Sequence, residues 1–269
     1  MKTYADVFGS LDRAALIPFF VLGDPDESQG EGIIEAAVTA GADILELGIP
    51  FSDPIADGPT IQKADIRALE AGMTVDKALA MITRIKARHD VPVGLLMYYN
   101  LVWHYGVERF YAEAARAGVN SVLVADLCID DAAEVEGAAT EHGMDTVYMV
   151  TPNTPDSRRR EIARRCTGFV YTVGHLGVTG ARAQLGQAIG PLVHRLKADA
   201  SAAVCVGFGV SQPEHAGALA EAGADGVIVG SALVGRIEEH LDDPQAAQQA
   251  IAQAIQGFRT ALEQQSGNR

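Results

Sequence analysis

A chain of 269 residues, 48% hydrophobic and 21% charged, is long enough for one large buried core and polar enough for a soluble enzyme. Lys plus Arg total 21 against 35 Asp plus Glu, a net charge of −14, so nucleic acid and anionic membranes are poor partners. The opening MKTYADVFGSLDR has no apolar signal core, and no apolar run reaches the roughly 18 residues of a spanning helix. The three cysteines (Cys128, Cys166, Cys205) are odd in number and lack metal-type spacing, so a cytoplasmic protein is expected.

In chain order, a short helix (3–12) precedes a first apolar strand (16–22) and an amphipathic helix (29–40). A strand at 44–49 runs into a long loop, PFSDPIADGPT (50–60), before a helix at 74–88. Strands at 93–98, 121–126, 146–151 and 169–173 then alternate with helices at 107–117, 130–142 and 156–166. A helix (188–199), a strand (203–208), a helix (212–222) and a last strand (226–230) follow, then a short helix (231–240) and a closing one (244–264). AGADILELGIP (40–50), AGVNSVLVAD (117–126) and AGADGVIVGSA (222–232) read alike, and EHGMDTVYMVT (141–151) is a looser copy. Each joins a helix end, a glycine suited to a left-handed turn, and an apolar strand. Eight such βα units predict an α/β fold, a single (β/α)8 TIM barrel over 1–269. The helix at 3–12 would cap its base, and a short extra helix would precede the last one; a doubly wound sheet is the competing architecture.

In such a barrel, chemistry sits where strands end and βα loops begin. Glu46 interrupts the apolar strand ILELGI, where a carboxylate is costly unless paired or functional. Burial in the lumen would raise its pKa into the range of general acid–base work, while a hydrogen-bonded structural carboxylate is the plainer alternative. Asp53 and Asp57 follow in the loop. A pair of acids near Glu46 would divide acid and base roles, although Asp57-Gly58-Pro59 also reads as the start of a helix with Pro59 in its first turn.

An acidic enzyme must catch an anionic substrate by a local device. Glycine-rich turns at GVTGA (177–181), GFGVS (207–211) and VGSAL (229–233) fit a phosphate held by main-chain N–H groups, with Ser231 capping the short helix. Plain tight turns are the alternative. Neither a P-loop nor a dinucleotide fingerprint occurs, so the residues point to cofactor-free chemistry on a phosphorylated small molecule.

The string LELGIPFSDPIADGPTIQ (45–62) resembles the most diagnostic stretch of the tryptophan synthase alpha family. PFFVLGDP (18–25), GLLMYYNLV (94–102), SVLVAD (121–126), GVTGAR (177–182), VGFGVS (206–211) and DGVIVGSALV (225–234) extend the resemblance along the chain in order. It implies retro-aldol cleavage of indole-3-glycerol phosphate to indole and glyceraldehyde 3-phosphate, with no cofactor and no metal. By similarity, Glu46 would protonate C3 of the indole, Asp57 would hold the indole N–H, and Tyr171 would line the site beside Glu46. Phe19, Leu96, Leu123 and Ala125 match walls of the indole pocket. Gly180, Gly209, Gly230 and Ser231 match phosphate binders.

The family's partner is a tryptophan synthase beta chain, in an alpha2-beta2 assembly. Asp53 and Pro54 match partner-facing positions, whereas Cys128 stands where many relatives carry proline. TVGHL (172–176) replaces a serine-containing stretch, and His175 there reads as a loop residue rather than a proton shuttle. The alternatives are a stand-alone lyase releasing free indole, another phosphate-handling barrel, or an inactive chain that only activates its partner.

Overall fold

Short runs of Val, Ile, Leu and Phe, too apolar for any exposed face, form eight strands: β1 (Ala15–Val21), β2 (Leu45–Gly48), β3 (Val93–Met97), β4 (Ser121–Val124), β5 (Asp145–Val150), β6 (Phe169–Val173), β7 (Ala203–Gly207) and β8 (Gly226–Val229). All pair in parallel with their neighbours in chain order, and β8 returns to β1 through Ala15↔Gly226 to Pro18↔Val229, which closes the barrel. The (β/α)8 expectation holds. The computed structural model describes residues 1–174, 182–207 and 209–266, with the main chain alone for 182–188.

Twelve described helices surround the strands: α1 (Tyr4–Ser10), α2 (Glu27–Thr39), α3 (Pro59–Glu70), α4 (Val75–Arg88), α5 (Tyr99–Tyr105), α6 (Val107–Ala117), α7 (Ala133–Glu141), α8 (Asp156–Arg165), α9 (Arg182–Asp199), α10 (Pro213–Glu221), α11 (Ser231–Glu238) and α12 (Pro244–Glu263). Helix α6 shows why they form. Val107, Phe110, Tyr111, Ala114 and Ala117 recur at helical spacing and are buried, and Gly118 stops the helix at φ 90°. Gly41 and Gly223 take the same left-handed turn at φ 112° and 96°, as the repeated AGA and AGV segments predict.

One helix exceeds the sequence reading: α5 fills the stretch between 98 and 107. α3 is the helix whose start the Asp57-Gly58-Pro59 sequence suggests, with Gly58 as N-cap and Pro59 first, so β2 and β3 are each followed by two helices. α9 also begins six residues earlier than expected and runs through Pro191.

At the N-terminal end of the barrel, α1 is the expected cap. Thr3 and Asp6 form a reciprocal capping box, and the buried Tyr4 hydroxyl meets Ser121 Oγ at 2.7 Å. The Tyr4 ring stands edge-on to Phe169 at 5.4 Å, closing the floor. Among the described residues no helix is long and apolar enough to cross a membrane.

Candidate active site

The C-terminal ends of the strands surround a cavity of about 270 Å³. Phe19, Glu46, Leu96 and Tyr171 line it from β1, β2, β3 and β6. Asp57 reaches it from the loop after β2, and Gly209, Gly230 and Ser231 line it from the loops after β7 and β8. The barrel register explains the grouping. Glu46 is paired with Phe19 on one side and Gly94 on the other, which places the acid two residues below the wall residue Leu96, itself the partner of Gly48.

Glu46 is 4% exposed. Burial, and then the charge of Asp57, pushes its carboxyl up to about 8, so it carries a proton at neutral pH. Asp57 is also raised by burial, but the Tyr98 hydroxyl opposes that shift by donating to Asp57 Oδ2 at 2.6 Å. The same Tyr98 oxygen accepts the Ala56 N–H at 3.0 Å, and its ring stacks on Phe51 at 5.2 Å. Thus the loop carrying Asp57 is held at two points by one side chain. Of the two acids Asp57 ionises first, and its charge holds the proton on Glu46. One neutral acid and one carboxylate share a cavity.

Tyr171 stays a neutral phenol, because burial and then the charge of Glu46 raise it well above the usual tyrosine value. Its hydroxyl packs against Gly207, where any Cβ would lie 2.6 Å from that oxygen.

The turn that the sequence marks as a candidate phosphate cradle leads into α11. Gly230 is the N-cap of this helix and Ser231 its first residue, with no side-chain cap hydrogen bond. This corrects the expectation that Ser231 caps the helix: the β8 turn enters it one residue earlier. The first-turn N–H groups of Ser231 and Ala232 have no partner within a helix and carry its positive dipole end. Gly209, at φ 75°, brings main chain to the same cavity from the loop after β7.

Leu123 pairs with Leu96 across β3 and β4 and is buried in the core, and Ala125 is half-buried just past β4; neither lines the cavity. Gly180 and His175 lie outside the described residues. Asp53 is exposed, so the loop offers one acid to the cavity, not two. Sequence reasoning missed Thr60, Ile61, Val210 and Ile228 in the lining and Tyr98 behind Asp57. The GLLMYYNLV string contains Tyr98, but nothing in it marks a partner 41 residues earlier.

Comparison with known proteins gives a consistent result. The family model described as tryptophan synthase alpha chain matches residues 8–263. A tryptophan synthase alpha chain of Methanothermobacter thermautotrophicus is 47% identical, covering 93% of this chain and 92% of its own. One of Klebsiella pneumoniae is 43% identical over 97% and 98%. Among solved structures, tryptophan synthase subunit alpha from Legionella pneumophila superposes with a TM-score of 0.88 at 32% identity, covering 98% of this chain and 99% of that one. A chain from the tryptophan synthase a2b2 complex of Pyrococcus furiosus gives 0.85 at 40% identity, over 91% and 98%.

Proposed function

Because the chain belongs to the tryptophan synthase alpha chain family, lyases that cleave indole-3-glycerol phosphate to indole and glyceraldehyde 3-phosphate, we propose that Glu46, Asp57 and Tyr171 are the residues performing that cleavage here. The observation that carries this reading is a single cavity joining Glu46, Asp57 and the N-terminus of α11.

The phosphate docks on the main-chain N–H groups around Gly209, Gly230 and Ser231, with Gly180 added by family resemblance. Anchored there, the substrate extends its indole between Phe19 and Leu96, with Leu123 and Ala125 assigned by resemblance to the surrounding wall. Glu46, protonated at neutral pH, delivers its proton to C3 of the ring. Asp57 accepts the indole N–H and stabilises the positive charge of the resulting indolenine. The C3–C1′ bond then breaks: its electron pair restores the indole, and the hydroxyl on the departing carbon gives up its proton to become the aldehyde. Glu46, now a carboxylate, is the base available for that proton, which returns it to its starting state. Tyr171 keeps the acid in a dry setting. Every step uses this chain's own groups, and no cofactor is invoked.

We further propose that the whole chain, 1–269, acts as one catalytic domain beside a beta chain, in an alpha2-beta2 assembly such as that described for the Pyrococcus furiosus enzyme. One exposed and two buried cysteines, at separate places in the fold, suit a reducing compartment, and the cytoplasm is the proposed location.

The test is indole release by Glu46→Gln and Asp57→Asn, with a crystal soak of a non-cleavable substrate analogue. Each variant is expected to lose about 10²–10⁴-fold in kcat while folding normally. Full activity in both, or an analogue whose phosphate avoids α11, overturns the assignment.

A further inference from the structure

Two residues beyond Glu46, β2 ends on a glycine that its backbone does not require. Gly48 is buried, and its φ lies outside the left-handed region, so alanine fits the main chain there. A glycine inside a strand weakens it and marks a place where something approaches closely. Alternation puts Gly48 on the same face of β2 as Glu46, towards the barrel interior, and its register partner on β3 is the wall residue Leu96. What approaches is Phe19. A Cβ at position 48 would lie 2.9 Å from Phe19 Cζ and 3.2 Å from its Cε2, while the Phe20 carbonyl oxygen stands at an ordinary 3.8 Å. Gly48 does not itself line the cavity, because the edge of the Phe19 ring lies over it. The other edge of that ring meets Gly230, where a Cβ would find Phe19 Cδ1 at 3.5 Å. The Phe19 ring thus reaches from the strand of the catalytic acid to the turn entering α11.

We propose that Gly48 is a positioning residue for Phe19, and that this seat sets the width of the ring the cavity accepts. The inference rests on the placing of the substrate indole between Phe19 and Leu96 above. With no side chain at position 48, the Phe19 ring lies back across β2 and leaves the space over Glu46 to the substrate. A methyl group at 48 cannot share that space with a ring edge 2.9 Å away. The Gly230 turn stands behind the other edge, so the displaced ring turns into the cavity and narrows it. The loss falls on the binding of a flat bicyclic ring and leaves Glu46 and Asp57 in place. Gly48 and Phe19 therefore act as one selector, and a change in either alters the effect of the other.

The test compares wild type, Gly48→Ala, Phe19→Leu and the double variant on indole-3-glycerol phosphate and on forms of it carrying one methyl group on the benzo ring. Gly48→Ala is expected to raise KM roughly tenfold or more with a smaller change in kcat, the worth of one carbon in an apolar pocket. Its preference for the unsubstituted substrate sharpens by a similar factor. Phe19→Leu has no ring edge over Gly48 and loosens that preference. In the double variant the added methyl takes the space the ring edge has left, so KM and preference both return towards wild type. Thermal melting follows the fold; should Gly48→Ala fold poorly, trimming the ring in the double variant restores the fold along with the preference. An unchanged preference in Gly48→Ala, or a double variant whose defects simply add, overturns the proposal. If the wild type cleaves no indole-3-glycerol phosphate, the function proposed above fails instead, and calorimetric binding of free indole to the same proteins still decides whether Gly48 and Phe19 act together.

Discussion

Glu46 is held by an apolar strand, and that placement has a thermodynamic consequence with a definite sign. Its folded carboxyl sits at about 8, against about 4.3 for an unfolded glutamate, so folding favours the protonated form. Below about pH 4 both states are protonated and the group is neutral to stability; as pH climbs towards 8, the unfolded chain ionises freely and the fold is progressively penalised. Glu46→Gln removes the penalty. The variant is expected to be more stable than the wild type by about 2–4 kcal/mol at pH 9, the gap closing near pH 4; urea unfolding at the two pH values measures it. Tyr98 acts in the other direction, because its hydroxyl lowers the Asp57 carboxyl. Tyr98→Phe should therefore move the acid limb of the kcat profile to higher pH and reduce turnover about tenfold, the worth of a hydrogen bond to a charged group. Glu46 and Asp57 were legible in the sequence because one is a charge in an apolar strand and the other sits in an overlong loop. Tyr98 was not. It looks like an ordinary polar position in its own segment, and only the approach of the β3 end to the β2 loop gives it its partner.

The elements divide the molecule into a working end and a supporting end. Strand periodicity announced all eight strands within a residue or two, since each is a short apolar run bounded by glycine or polar turns. α5 was less legible: it follows β3 immediately, has no side-chain N-cap hydrogen bond, and spans only seven residues. α3 is likewise opened by Gly58 and Pro59 without a side-chain cap. The supporting end allows a clean test. A Cβ on Gly94 would lie 2.7 Å from the Tyr4 hydroxyl and 3.1 Å from Ser121 Oγ, so Gly94→Ala must force α1 away from the floor. The expected cost is about 1–3 kcal/mol of stability, with kcat per folded molecule preserved. A thermal melt beside an indole-release assay would show it, and a large loss of kcat at full stability would mean that the floor communicates with the mouth.

At the scale of the molecule, the closed barrel gathers onto one end residues that the chain scatters from Phe19 to Ser231, and it leaves two large apolar side chains in solvent there. Ile55, in the loop carrying Asp57, is 82% exposed, and Trp103, on α5, is 63% exposed. They follow the paired strands β2 and β3, so both belong to the rim of the cavity rather than to unrelated surfaces. An indole set free in the cavity is apolar and uncharged, and a partner seated on this rim would receive it before water does. Exposed tryptophan is also the side chain that most often anchors an interface. Trp103→Ala is therefore expected to weaken binding of a tryptophan synthase beta chain by about tenfold or more, measured by calorimetry, while indole release by the isolated chain stays unchanged. Ile55→Asp should weaken it further by placing an unpaired carboxylate in the contact. A chain that works alone would bind no beta chain in either form, and unaltered affinity in both variants would move the contact away from this rim.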